Sequence, residues 1–74
     1  MILVSSPLKR DFIVELIDGY EIDGFTFKHE KSEGMKLFFS TNKPEELDKA
    51  IRHVKDRIKG SDLGRTLFFQ VVAA

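Results

Sequence analysis

The sequence predicts an α+β fold in which two helices cover one face of an antiparallel sheet. Two amphipathic helical stretches alternate with four short β-rich stretches in the order β-α-β-β-α-β. Both prolines fall where helices begin, and glycines fall where they end. The 74 residues make one domain, and a chain of this size leaves much of its surface unburied.

Met1 to Ser5 is a short apolar run and reads as the first strand because a helix start follows it. Ser6-Pro7 supplies an N-cap residue and a proline at the first helical position. Leu8, Phe12 and Leu16 recur at helical spacing, widened by Ile13 and Ile17, and Asp18-Gly19 stops the helix, giving residues 7–18. Asp23-Gly24 introduces a second strand, in which Phe25 and Phe27 alternate with Thr26 and Lys28. Lys31 to Gly34 reads as a polar turn leading into a third strand, Met35 to Ser40. Asn42 and Glu45 have capping-box spacing around Pro44. Leu47, Ala50, Ile51, Val54 and Ile58 then form one stripe, and Gly60 ends the second helix. Ser61 to Arg65 reads as a loop, and Thr66 to Val72 as the last strand. A four-stranded sheet with both helices on one face and its first and third strands central is the ferredoxin-like arrangement. Leu16 and Ile51 are expected in its core.

Alternation also assigns the two sheet faces. Phe25, Phe27, Leu37, Phe39, Leu67, Phe69 and Val71 should meet the helices. Thr26, Lys28, Lys36, Phe38, Ser40, Thr66, Phe68 and Gln70 should face away. Within that polar set Phe38 and Phe68, joined by Leu3 from the first strand, form an apolar patch expected to be an interface. Association of two or three copies through this sheet face is the expected use, since a small domain gains most from shared surface.

Composition narrows the chemistry. Twelve basic residues balance twelve acidic ones, which disfavours a nucleic-acid module held by phosphate attraction. With no cysteine there is no disulfide, thiolate zinc site or thiol nucleophile. No apolar run suits a membrane helix, and the opening residues lack a basic signal-peptide region, so a soluble, cytoplasmic domain is expected. His29 and His53 have no third ligand nearby and read as surface histidines; no metal and no catalytic residue is assigned. The charges of the second helix pair as Glu45–Lys49, Asp48–Arg52 and Arg52–Asp56, a solvated face. The Gly60–Arg65 loop is the candidate binding element, because its glycines can turn backbone N–H groups toward a small anion between Lys59 and Arg65. A sheet surface for single-stranded nucleic acid is the alternative, since the RNA-recognition motif shares this topology and stacks bases on sheet aromatics. Only Phe38 serves that role in the third strand, and the first strand has no aromatic.

Gly24-Phe25-Thr26-Phe27, following an amphipathic helix, resembles the Gly-x-Thr-Val segment that opens the second strand of the nitrogen-regulatory P-II proteins. The stretch from Met35 to Val72 is similar to their second half. The resemblance implies a ferredoxin-like regulatory module of P-II-like or ACT-like type, non-catalytic, with a nucleotide as the implied ligand in clefts between subunits. It carries over Thr26, Gly60 and Gly64 as ligand-binding positions. The family's long loop between the second and third strands is reduced here to about Lys31–Gly34. Where the family has Gly-Asp-Gly-Lys, Leu63-Gly64-Arg65-Thr66 stands, with no counterpart for the phosphate-binding lysine.

Overall fold

The computed structural model describes residues 1–61 and 68–74. Its elements run β1 (Ile2–Ser5), α1 (Arg10–Ile17), β2 (Glu21–Ile22), β3 (Phe25–Glu33), β4 (Lys36–Thr41), a single 3-10 turn (Pro44–Glu46), α2 (Leu47–Lys59) and β5 (Gln70–Ala73). The fold is α+β. The sheet is antiparallel throughout, with strand order β2-β3-β4-β1-β5. Among the described residues five strands replace the expected four, because the chain makes a hairpin before the second predicted strand. Asp23 and Gly24 both adopt positive φ, +51° and +80°, as a two-residue turn between β2 and β3 requires.

The helix-facing assignment holds wherever the residues are described. Ile2, Val4, Phe25, Phe27, Leu37, Phe39 and Val71 from the sheet close over Ile13 and Ile17 of α1 and Ala50, Val54 and Ile58 of α2. Phe69 packs partly buried against this core. Leu67 lies outside the described residues.

Local details depart from expectation. Helix α1 begins at Arg10 rather than Pro7, preceded by Lys9 in the left-handed conformation, φ +59°. Ser6 is not its cap; its buried hydroxyl donates to the Leu8 carbonyl oxygen at 2.6 Å. The buried stripe of α1 is therefore Ile13 and Ile17, whereas Leu8 is exposed and Leu16 half-buried. The polar stretch read as a turn continues β3 as far as Glu33, and Gly34, at φ +57°, begins a two-residue turn into β4. A bulge between His29 and Lys31 absorbs one residue, so that Glu30 and Lys31 both fall on the side turned from the helices: Glu30 Oε2 accepts from Ser40 Oγ at 2.6 Å, and Lys31 stands opposite Phe38.

Candidate functional site

Two regions follow from the sequence: the sheet face turned from the helices, and the chain after α2. On the outer face, register places Leu3 of β1 between Phe38 of β4 and Val72 of β5. Lys31 of β3 pairs with Phe38 and lays its Nζ 4.9 Å from the ring centroid. These four residues form one row across the sheet. Leu3 and Phe38 are half-buried, and Val72 is 38% exposed. The rows beside it are polar, with Glu33, Lys36, Ser5 and Gln70 on one side and Lys28, Glu30 and Ser40 on the other.

The hydrogen-bond phase explains why the row is tight. Ser6 N–H donates to Met35 O at 3.0 Å, which fixes the β1–β4 ladder so that Leu3 and Phe38 form a non-hydrogen-bonded pair. In such pairs the side chains stand closest. Charge is distributed unevenly over the face: Lys28, Glu30, Lys31, Glu33 and Lys36 lie on β3 and β4, whereas β1 and β5 contribute Leu3, Ser5, Gln70 and Val72. Of the expected interface residues, Leu3 and Phe38 thus adjoin. Phe68 precedes β5, is 88% exposed and is not part of the row. Val72 takes the place assigned to it, and period-2 reading from Gln70 would have found it.

The expected ligand-binding residues divide differently. Thr26 is exposed between the buried Phe25 and Phe27, on the face away from the helices. Its backbone N–H donates to Asn42 Oδ1 at 2.8 Å. Lys59 and Gly60 are exposed at the C-terminal end of α2, on the helix side. Within one chain, therefore, Thr26 is not brought to the end of α2. Gly64 and Arg65 lie outside the described residues. An open groove of about 230 Å³ is lined there by Leu16, Tyr20, Asp56, Arg57, Gly60 and Ser61. Its cation is engaged: the Arg57 guanidinium lies 4.6 Å from the Tyr20 ring centroid, and its Nε–H donates to Leu16 O at 3.4 Å.

Neither histidine is simply solvated. His29 lies against Phe39, ring centroids 5.4 Å apart, with its Nε2 2.9 Å from Ser32 Oγ. His53 lies against Phe25 at 5.1 Å, and its Nε2 is 3.7 Å from Asp23 Oδ2. Lys43 Nζ covers the same Phe25 ring at 5.0 Å. Sequence periodicity does not show the Asp23–His53 approach, because it depends on the β2–β3 hairpin, whose two-residue first strand has no period to count. The two histidines stand on separate elements with separate partners, and no group of three metal-ligating side chains exists among the described residues. On α2 the helical ion pair is Glu46–Lys49, at 3.2 Å, rather than Glu45–Lys49, because the 3-10 turn over Pro44–Glu46 changes the helical phase. No helix among the described residues is long and apolar enough to cross a membrane. No family model, curated protein or solved structure matches this chain.

Proposed function

We propose that the chain is a small self-associating module that binds or regulates rather than catalyses, of P-II-like or ACT-like type, built on a ferredoxin-like sheet with β2 added at its edge. The observation that carries this reading is the apolar row Phe38–Leu3–Val72 on a sheet face that no helix among the described residues covers. An apolar row on one side of a small sheet is stabilised when a second chain removes it from water. The strand order β3-β4-β1-β5 is what a ferredoxin-like arrangement requires of its four principal strands. A small anionic ligand, a nucleotide among the candidates, would be taken up beside Lys59 and Gly60. Regulation would then be differential binding of that ligand to assembled and free chains. Sedimentation at high micromolar concentration is expected to give a dimer or trimer mass. A monomer mass under those conditions overturns the reading.

A second reading, a surface for single-stranded nucleic acid, is favoured by Phe38 with Lys28, Lys31 and Lys36 on the same face. Stacking of a base on Phe38 would contribute about 1–3 kcal/mol, but Lys31 already occupies a face of that ring. Titration with a single-stranded oligonucleotide at low salt separates the two. Binding that Phe38→Ala weakens about tenfold or more supports the second reading, and absence of binding removes it.

A further inference from the structure

The two long edges of the sheet differ in how they are protected. Beyond β2, the edge formed by β3 carries a bulge and the charged side chains of Lys31 and Glu33. Its His29 N–H is taken by Asp18 Oδ1 at 2.9 Å. These are devices that keep a strand from pairing with another chain. The β5 edge has none of them. Phe68 to Ala74 carries no charged side chain, β5 contains no proline or bulge, and no strand pairs with its outer side among the described residues.

The phase of β5 is fixed. Ala74 N–H donates to Met1 O at 2.8 Å, so Gln70 and Val72 direct their backbone groups to β1. The N–H and C=O groups of Val71 and Ala73 therefore point out of the sheet. Antiparallel pairing of identical strands about a two-fold axis sets the central residue against itself, where like charges would repel, and β5 carries no charge there or on either side. A strand of another protein would place no such constraint on the central residue. Neutrality also extends inward from this edge across Leu3, Ser5, Gln70 and Val72, while the charges lie on the far side of the sheet.

We propose that two copies of the chain join along β5 as antiparallel neighbours centred on Val72, which makes one continuous sheet from both. This rests on the self-association proposed above but places the contact at the β5 edge, where Val72 of the apolar row meets its own copy while Phe38 and Leu3 stay on the open face. Val71 exchanges two hydrogen bonds with Ala73 of the second copy, and Ala73 exchanges two with Val71 of the second copy. Val72 then stands opposite itself in a non-hydrogen-bonded pair. The row Lys31–Phe38–Leu3–Val72 continues through the axis into its own copy, and Lys31 closes the apolar stripe at both ends.

Two variants of the full chain test this. Ala73→Pro removes an outward N–H and leaves the β1 ladder its donors. It is expected to weaken the dimer at least tenfold by sedimentation, with the thermal transition of the dilute chain retained. Val72→Cys places one thiol in a chain that otherwise has none. Opposed Cα atoms about 4.5 Å apart in such a pair fall within disulfide range, so mild oxidation is expected to yield covalent dimer far faster than for a Thr26→Cys control. A wild-type monomer overturns both this proposal and the self-association beneath it. A wild-type oligomer whose Val72→Cys variant cross-links no faster than the control overturns the β5 pairing alone. Ala73→Pro that folds and associates as tightly as wild type does the same.

Discussion

Phe39→Ala is expected to remove most of the chain's stability at 25 °C and leave it barely folded. Phe39 is fully buried in β4, between β3 and β1, at the centre of the cluster that joins the sheet to both helices. Truncating a buried phenylalanine costs about 3–5 kcal/mol, as lost transfer energy plus the cavity left behind. Domains have about 5–15 kcal/mol in total, and one this small sits toward the lower end. His29 loses its ring contact at 5.4 Å in the same change. The neighbouring strands hold the cavity open, since Leu37 and Phe27 are themselves fixed by ladder pairing. Leu16→Ala and Ile51→Ala should cost less, because both side chains are only half-buried. Urea unfolding monitored by circular dichroism checks the order. A Phe39→Ala chain whose midpoint matches those of Leu16→Ala and Ile51→Ala would show that the cavity collapses.

The difference between Phe39 and Leu16 shows which parts of the fold could be read from the sequence. Within a strand alternation has period 2, so the helix-facing residues Phe25, Phe27, Leu37, Phe39 and Val71 are assignable from sequence. The buried face of a helix depends on its starting phase. In α2 the stripe Ala50, Val54 and Ile58 is unambiguous because charged residues flank it on both sides. In α1 apolar residues occupy most of the circumference, so spacing could not separate Leu8, Phe12 and Leu16 from Ile13 and Ile17. Tertiary packing chose the second set. The strand β2 was legible in principle. Asp-Gly between Glu21-Ile22 and Phe25-Thr26 is a strong hairpin signal, but a flank of two residues gives no periodicity to count.

Alternation predicts the apolar character of the outer face but not which residues adjoin on it. Leu3 and Phe38 are neighbours because two strands far apart in sequence pair in a definite register, which no local pattern encodes. Alternation extended back from Val71 predicts Phe68 on that face, but β5 starts at Gln70 and the alternation has no strand to act on before it. The Glu30–Lys31 bulge is also invisible to composition. It decides that a lysine rather than a glutamate lies over Phe38, and so helps determine whether that ring is open to a base or closed to one.

Asn42→Ala is expected to loosen the β2–β3 hairpin and to cost about 1–2 kcal/mol. Asn42 has the spacing of a helix cap, yet neither the 3-10 turn nor α2 receives a side-chain cap. Its side chain acts instead as a further rung of the β3–β4 ladder. The last backbone pair is Phe27↔Thr41, and the same register carries residue 42 opposite Thr26. There Asn42 Oδ1 accepts from Thr26 N–H at 2.8 Å, and Nδ2 donates to Gly24 O at 2.9 Å. One carboxamide thus satisfies two backbone groups on either side of Phe25, the residue against which His53 and Lys43 pack. Alanine removes both bonds; exposure lets water take up part of the loss, which keeps the cost below that of a buried pair. Asn42→Asp retains the acceptor for Thr26 N–H but sets an anion against the Gly24 carbonyl oxygen, so it should cost at least as much despite its size. Amide exchange at Thr26 is expected to accelerate in Asn42→Ala while amides in the β1–β5 ladder keep their protection relative to global stability. If Thr26 exchanges at the wild-type rate, the carboxamide is not what holds the hairpin to the sheet, and the Phe25 packing alone must do so.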